Sequence, residues 1–223
     1  MTKRCPTCGR MRLDFFVPSQ AILGYPNRLA KKSAVVDHRL KYIDFSRRLH
    51  EVLAPLLGER YSLHEELTVL TSEGLAGRSI RADCLAVTDI GIFVISRIEW
   101  EGKVMQSLEE DKLYVRSAQG MTEIYPCPLR YTAPAVHFLG GLLDGFNCPI
   151  ENIAVFVGDT CEFGTALPTS YLKLSELHHF FRVRRENVYR KLAPRIDVDA
   201  IDERLRIGCT LITGPRPSQL DDV

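Results

Sequence analysis

Three groups of residues in this chain are of a type and spacing that could do chemistry. The first is Asp83, a carboxylate at the head of a short apolar run, with Glu99, Glu101 and Lys103 closing the next run. Acids and a lysine converging from neighbouring strands are the groups of metal-assisted phosphodiester cleavage. Hard oxygen ligands hold Mg²⁺ there, and a further group orients or activates water. The second is Cys5-Pro-Thr-Cys8-Gly9, a turn that lets two thiolates reach one tetrahedral ion, so zinc is the metal expected. A closed site needs four ligands, and no second such pair follows. The others would come from distant cysteines, from His178-His179 or from another chain; otherwise the pair stands unliganded on a tail. The third group is basic. Residues 1–50 hold eleven Lys and Arg, Lys31 and Lys32 among them, against three acids. Such an arm suits a phosphate backbone, and equally a solvated leader.

The element that must position Asp83 is the stretch 78–102, RSIRADCLAVTDIGIFVISRIEWEG. Ala82 to Val87 reads as one strand, Thr88-Asp89-Ile90-Gly91 as a tight turn, and Ile92 to Ile98 as a second, β-branched strand. Alternation puts Ile92, Val94, Ser96 and Ile98 on one face and Phe93, Ile95, Arg97 and Glu99 on the other. Glu99 and Glu101 then lie away from Ser96, unless a bulge turns Glu99 inward. The position of the Glu99 carboxylate relative to Asp83 decides that alternative.

The remaining elements follow from periodicity. Leu13 to Ser33 reads as irregular. Val35 to Leu57 is helical, with Val36, Leu40, Ile43, Leu49, Val52, Leu53 and Leu56 apolar and Pro55 bending or ending it. Tyr61 to Leu70 is a strand and Glu73 to Gly77 a loop. Residues 101–105, 111–117 and 123–125 are further strands. Ala133 to Leu143 is a helix with Pro134 in its first turn. Gly140-Gly141 weakens it unless a strand packs closely there. Ile153 to Val157 is a strand buried on both faces, and Leu172 to Leu174 another. Ser175 caps a further helix, Asp197 to Ile207 is the last, and 213–223 is a tail.

Composition bounds the class. The chain has 223 residues, 45% hydrophobic and 26% charged, with net charge +1. One domain of ordinary size, or one with a small appendage, fits that length, and no global field favours nucleic acid. No apolar run approaches the ~20 residues of a membrane span, and no secretory signal is evident at the start. Seven cysteines, an odd and scattered set, suggest a reducing cytoplasm without a disulfide framework.

The hairpin resembles the core of the nuclease-related domain family, in the PD-(D/E)XK, restriction-endonuclease-like superfamily. Asp83 falls on the family's metal-binding aspartate, and Gly91, Ile92, Phe93, Val94, Ile95 and Gly102 on its scaffold positions. Ser96 stands where the family has its catalytic Glu, and Ile98 where it has its catalytic Lys. Ser46 lies near the place of an acid on the family's first helix. Pro126-Cys127-Pro128-Leu129-Arg130-Tyr131 resembles a segment that normally supplies Asn and Gln, replaced here by Cys127 and Tyr131.

The resemblance implies an α/β, restriction-endonuclease-like fold: a mixed central β-sheet flanked by helices over residues 37–210. A basic arm, 1–36, precedes it and a tail, 211–223, follows. A catalytically degenerate protein is then expected, acting as a nucleic-acid-binding or protein-interaction module. Arg78, Arg81, Arg97, Lys31 and Lys32 are its candidate DNA contacts. Two alternatives remain: an active Mg²⁺-dependent nuclease with a site rebuilt from Asp83, Glu99, Glu101 and Lys103, or a zinc-stabilised adaptor within a larger assembly.

Overall fold

The computed structural model describes residues 28–71, 78–158, 160–190 and 195–213. Cys5, Cys8 and the tail beyond Thr213 lie outside them. The chain divides into two compact units, residues 1–38 and 39–223. The boundary falls inside the first helix, α1 (Arg28–Leu57).

The helix α1 starts ahead of the expected Val35, within the stretch read as irregular. Its buried stripe is Phe45, Leu49, Leu53, Leu56 and Leu57, whereas Leu40 is 57% exposed. Pro55 does not end it. A proline so close to the C-terminus forfeits little beyond its own backbone bond. The helix closes at Gly58, which takes the left-handed φ of +64°.

Among the described residues, eleven strands and three more helices follow. β1 (Tyr61–Thr71) pairs antiparallel with β2 (Arg78–Ala82) and β3 (Cys84–Thr88). A tight turn joins β3 to β4 (Gly91–Ile98), in register Cys84 to Ile95 through Thr88 to Gly91. β8 (Ile150–Phe156) lies parallel to β4, and β10 (Tyr171–Lys173) parallel to β8. β11 (Thr210–Thr213) adds to the far side of β1, where a tail was expected; four residues are too few for periodicity to register. The order across this sheet is β10-β8-β4-β3-β1-β11, with β2 also on β1.

Strand β4 is apolar on both faces because helices cover both. On one side Phe45, Leu49 and Leu53 of α1, with Leu177 and Phe181 of α3 (Leu177–Arg190), pack on Cys84, Ala86, Phe93, Ile95, Ile153 and Val155. On the other, Ala135 and Leu139 of α2 (Pro128–Leu142), with Ile201 and Leu205 of α4 (Val198–Gly208), pack on Leu85, Val87, Ile92 and Val94. His64 on β1 is buried. It lies 3.0 Å from Asp202 of α4, which also accepts a 2.8 Å hydrogen bond from Ser62.

Two helix starts differ from expectation. Helix α2 begins at Pro128, which takes the first-turn role assigned to Pro134; Pro134 lies further in. A methyl at Gly140 or Gly141 would meet nothing within 4 Å, so no strand packs there. Before α3, Ser175 lies in a short 3-10 turn, and the Glu176 carboxylate accepts the Lys173 N–H at 2.7 Å.

A second mixed sheet extends the single sheet expected. Its order is β7 (Thr122–Pro126), β6 (Lys112–Arg116), β5 (Gly102–Gln106), β9 (Cys161–Phe163). Its inner face, Val104, Leu113, Val115 and Cys161, packs on Ile98, Ala154, Phe156 and Tyr171.

Candidate functional site

Asp83 sits at a bend between β2 and β3. Ile80 and Ala82 pack on the α2 and α4 side of the sheet, and Cys84 and Ala86 on the α1 side. Regular alternation would put residues 82 and 84 on one face. The bend therefore advances the strand by one residue and turns Asp83 towards α1. There its carboxylate accepts the Tyr42 hydroxyl at 2.6 Å and the Arg97 backbone N–H at 2.7 Å. The β3–β4 ladder runs only to Cys84–Ile95, so the Asp83 side chain takes over a donor that β2 no longer serves. Burial, and secondarily the bond to Asp83, raises the Tyr42 phenol above its ordinary range, so it stays a protonated donor.

Ser96 and Ile98 point the other way. Their partners on β8 are Ala154 and Phe156, both in the core between the two sheets. Ser96 is 6% exposed and Ile98 8%. The family positions that the resemblance implies at residues 83, 96 and 98 would have to share one face to meet at a metal; the bend at Asp83 separates them. The other family positions do not converge either. Ser46 is buried under α1 and Tyr131 is exposed. Cys127 faces inward, its sulfur 3.1 Å from the Tyr171 hydroxyl.

The alternative set is split as well. Glu99 shares the α1 face with Asp83 without any bulge in β4. It is held by Lys41 at 3.2 Å and by the Arg97 guanidinium. Burial alone would raise its carboxyl; the bonds from Arg97 and Lys41 outweigh that and bring it below the ordinary value. Glu101 is exposed between β4 and β5, and Lys103 is exposed on β5. Arg81 pairs with Glu66 at 2.9 Å. The side chains of Arg78, Lys31 and Lys32 lie outside the described set.

The α1 face therefore carries Lys41, Arg81 and Arg97 beside Glu66, Asp83 and Glu99, a lattice joining α1 to the strands. Such an arrangement clasps; it does not present an open ligand set. Mg²⁺ binding needs free carboxylate oxygens, and both Asp83 oxygens are taken by donors while Ser96 and Ile98 face away. The residues present do not fit the metal that the resemblance implies. Among the described residues no three His, Cys, Asp or Glu side chains are grouped to hold a metal ion. His137, His178 and His179 are exposed.

Two participants escape a reading by strands alone: Tyr42 and Lys41. Their signal lies in α1, where Tyr42 precedes the buried Phe45 by three and Leu49 by seven, the spacing of one helix face. The five described cysteines, at 84, 127, 148, 161 and 209, are free thiols. Burial pushes Cys161 and Cys209 up to about 11, which leaves them protonated and unreactive at neutral pH. No helix of the described residues is long and apolar enough to cross a membrane. Compared with protein-family models, with curated proteins and with solved structures, the chain matches none.

Proposed function

We propose that this chain is a nuclease-related, restriction-endonuclease-like domain that has lost its cleavage site and serves as a nucleic-acid-binding module. The element order supports the fold assignment. A first helix, a hairpin carrying Asp83, a second long helix and a later core strand parallel to the hairpin follow in the sequence the resemblance implies. One observation carries the loss of cleavage: Asp83 is bound to Tyr42 and Arg97 on the α1 face, while Ser96 and Ile98 are buried on the opposite one. Binding is assigned to the basic arm, residues 1–36, because Arg81 and Arg97 already have carboxylate partners.

A rearranged nuclease is the second reading, favoured by Asp83, Glu99 and Lys41 sharing one face. It needs those ion pairs to open.

Binding by the arm has a thermodynamic signature. Each phosphate neutralised adds about −0.9 to the slope of log K against log salt on duplex DNA. Full-length protein titrated on a labelled duplex at several salt concentrations gives a steep negative slope. Deleting residues 1–36, or changing Lys31 and Lys32 to Gln in the full chain, flattens it. An unchanged slope and affinity would show that the arm is not the contact.

A further inference from the structure

The second sheet has an outer face that nothing in the described structure covers. Inward residues alternate with outward ones, so Lys103 and Met105 of β5, Lys112, Tyr114 and Arg116 of β6, and Thr122 and Ile124 of β7 all point outward. Cross-strand registers arrange them in rows. Lys103 lies directly opposite Arg116, and Arg116 opposite Thr122. Met105 lies opposite Tyr114, and Tyr114 opposite Ile124. Across β5 and β6 one row is therefore cationic, with Glu162 of β9 at its end, and the next is aromatic and apolar, two residues or about 7 Å along the strands.

The cationic row is unusual in one physical respect. Like charges directly opposed on a sheet destabilise it. Lys103 and Arg116 are both exposed, and neither has an ion pair among the described residues. Every cation of the α1-face lattice, by contrast, has a carboxylate partner. Glu162 of β9 lies beside Lys103 in register on the far side from Arg116 and is not in an ion pair with it. Lys112 is tied to Glu109 within its own turn. Gly102 makes the opposed pair possible: a methyl there would sit 2.4 Å from the Arg116 carbonyl oxygen. Beside the cations the Tyr114 ring is half-buried between Met105 and Ile124, and Ile124 is 59% exposed.

We infer that this face is a platform for single-stranded nucleic acid. Lys103 and Arg116 take the backbone phosphates, and Tyr114, flanked by Ile124 and Met105, stacks an unpaired base. Unpaired bases offer a π-face to a ring and tolerate any sequence, whereas a duplex hides that face. An anionic ligand also removes the repulsion between the two cations, so binding repairs a cost present in the free protein. This surface is separate from the N-terminal arm and rests on its own observations.

The test uses the full chain and fluorescence anisotropy with labelled twelve-nucleotide oligothymidine, oligouridine and a twelve-base-pair duplex. Lys103→Gln combined with Arg116→Gln is expected to weaken single-strand binding about tenfold or more. The same change lowers the salt slope by about 1.4, from two phosphates at ~0.7 each. Tyr114→Leu keeps an apolar side chain but removes the ring, and weakens binding about tenfold without changing the slope. Arg190→Gln, on α3, leaves both unchanged. The double variant melts ~1–3 °C higher than the native chain, because it removes the opposed charges; a purely structural role for the pair would lower the melting point.

The inference is overturned if the native chain binds no single-stranded oligonucleotide, if the sheet variants weaken duplex binding as much as single-strand binding, or if the double variant binds single strand like the native chain. It is also overturned if polyglutamate competes as well as oligothymidine and Tyr114→Leu has no effect, which would mark the face as a site for an acidic protein. Loss of binding on deleting residues 1–36, with the sheet variants silent, sinks this inference alone and leaves the arm as the contact.

Discussion

Gly102→Ala is expected to destabilise the fold by about 3 kcal/mol or more, measured by urea denaturation with an unchanged m-value. Two effects combine. Gly102 has φ +106°, a conformation that side-chain-bearing residues rarely adopt. Its missing Cβ also leaves room for the Arg116 carbonyl oxygen and carbon, which a methyl would meet at 2.4 and 3.0 Å. Those atoms are backbone, so relief requires β5 and β6 to part. Gly140→Ala on α2 is the matched control. A methyl there meets nothing within 4 Å, and alanine in a helix interior is favoured over glycine by about 1 kcal/mol. The same chemical change should thus have opposite signs at the two positions. A loss below ~1 kcal/mol at Gly102 would contradict the close approach of the Gly102 backbone to the end of β6.

Asp83→Ala is expected to cost about 2–3 kcal/mol, because it strips a charged acceptor from two donors. The Tyr42 hydroxyl and the Arg97 N–H lose their shared partner, and α1 loses one of its ties to the hairpin. Tyr42→Phe should cost about 1 kcal/mol, the size of one hydrogen bond. In the double variant little is added beyond Asp83→Ala, giving a coupling of about 1 kcal/mol between the two sites. Carboxylates kept for catalysis behave oppositely; their replacement commonly stabilises, since a site poised for substrate is strained in the free enzyme. A neutral or stabilising Asp83→Ala would therefore argue for function and against the clasp.

Much of this fold was legible in the sequence, and the reasons differ by element. The hairpin of β3 and β4 is readable because apolar β-branched residues flank a four-residue turn. Both faces of β4 were assigned correctly by alternation: Phe93 and Ile95 lie on the α1 side, Ile92 and Val94 on the other. Asp83 was misplaced because alternation counts residues and cannot see a bend. Its partner Tyr42 lies forty-one positions away on a helix, beyond any local pattern. Pro55 was read as bending or ending α1 before Gly58, and the helix runs past it to Leu57 because a helix end tolerates proline; β11 was missed because a strand that short is set by its partner β1. The second sheet was visible as separate strands, but their assembly depends on pairings, such as β5 with β9, that span some sixty residues.

The candidate site divides along the same line. The departure of Ser96 and Ile98 from the pattern that the resemblance implies could be read directly. What Asp83 does instead could not, because its role is fixed by α1 and by a backbone donor on β4. That Ser96 and Asp83 face opposite ways has a consequence for repair. Ser96→Glu with Ile98→Lys places new charges in the core between the sheets, away from Asp83, so it unfolds the protein and does not rebuild a metal site.

The measurement that bears most directly on the central claim is a titration of Mg²⁺ and Mn²⁺ against supercoiled plasmid and single-stranded DNA. Native protein, Asp83→Ala and Glu99→Gln are compared at equal folded concentration. The clasp account predicts no metal-dependent cleavage by the native chain above that of Asp83→Ala. Cleavage by the native protein that vanishes in Asp83→Ala or Glu99→Gln would contradict it and establish a rearranged site in which Asp83, Glu99 and Lys41 open to hold the metal.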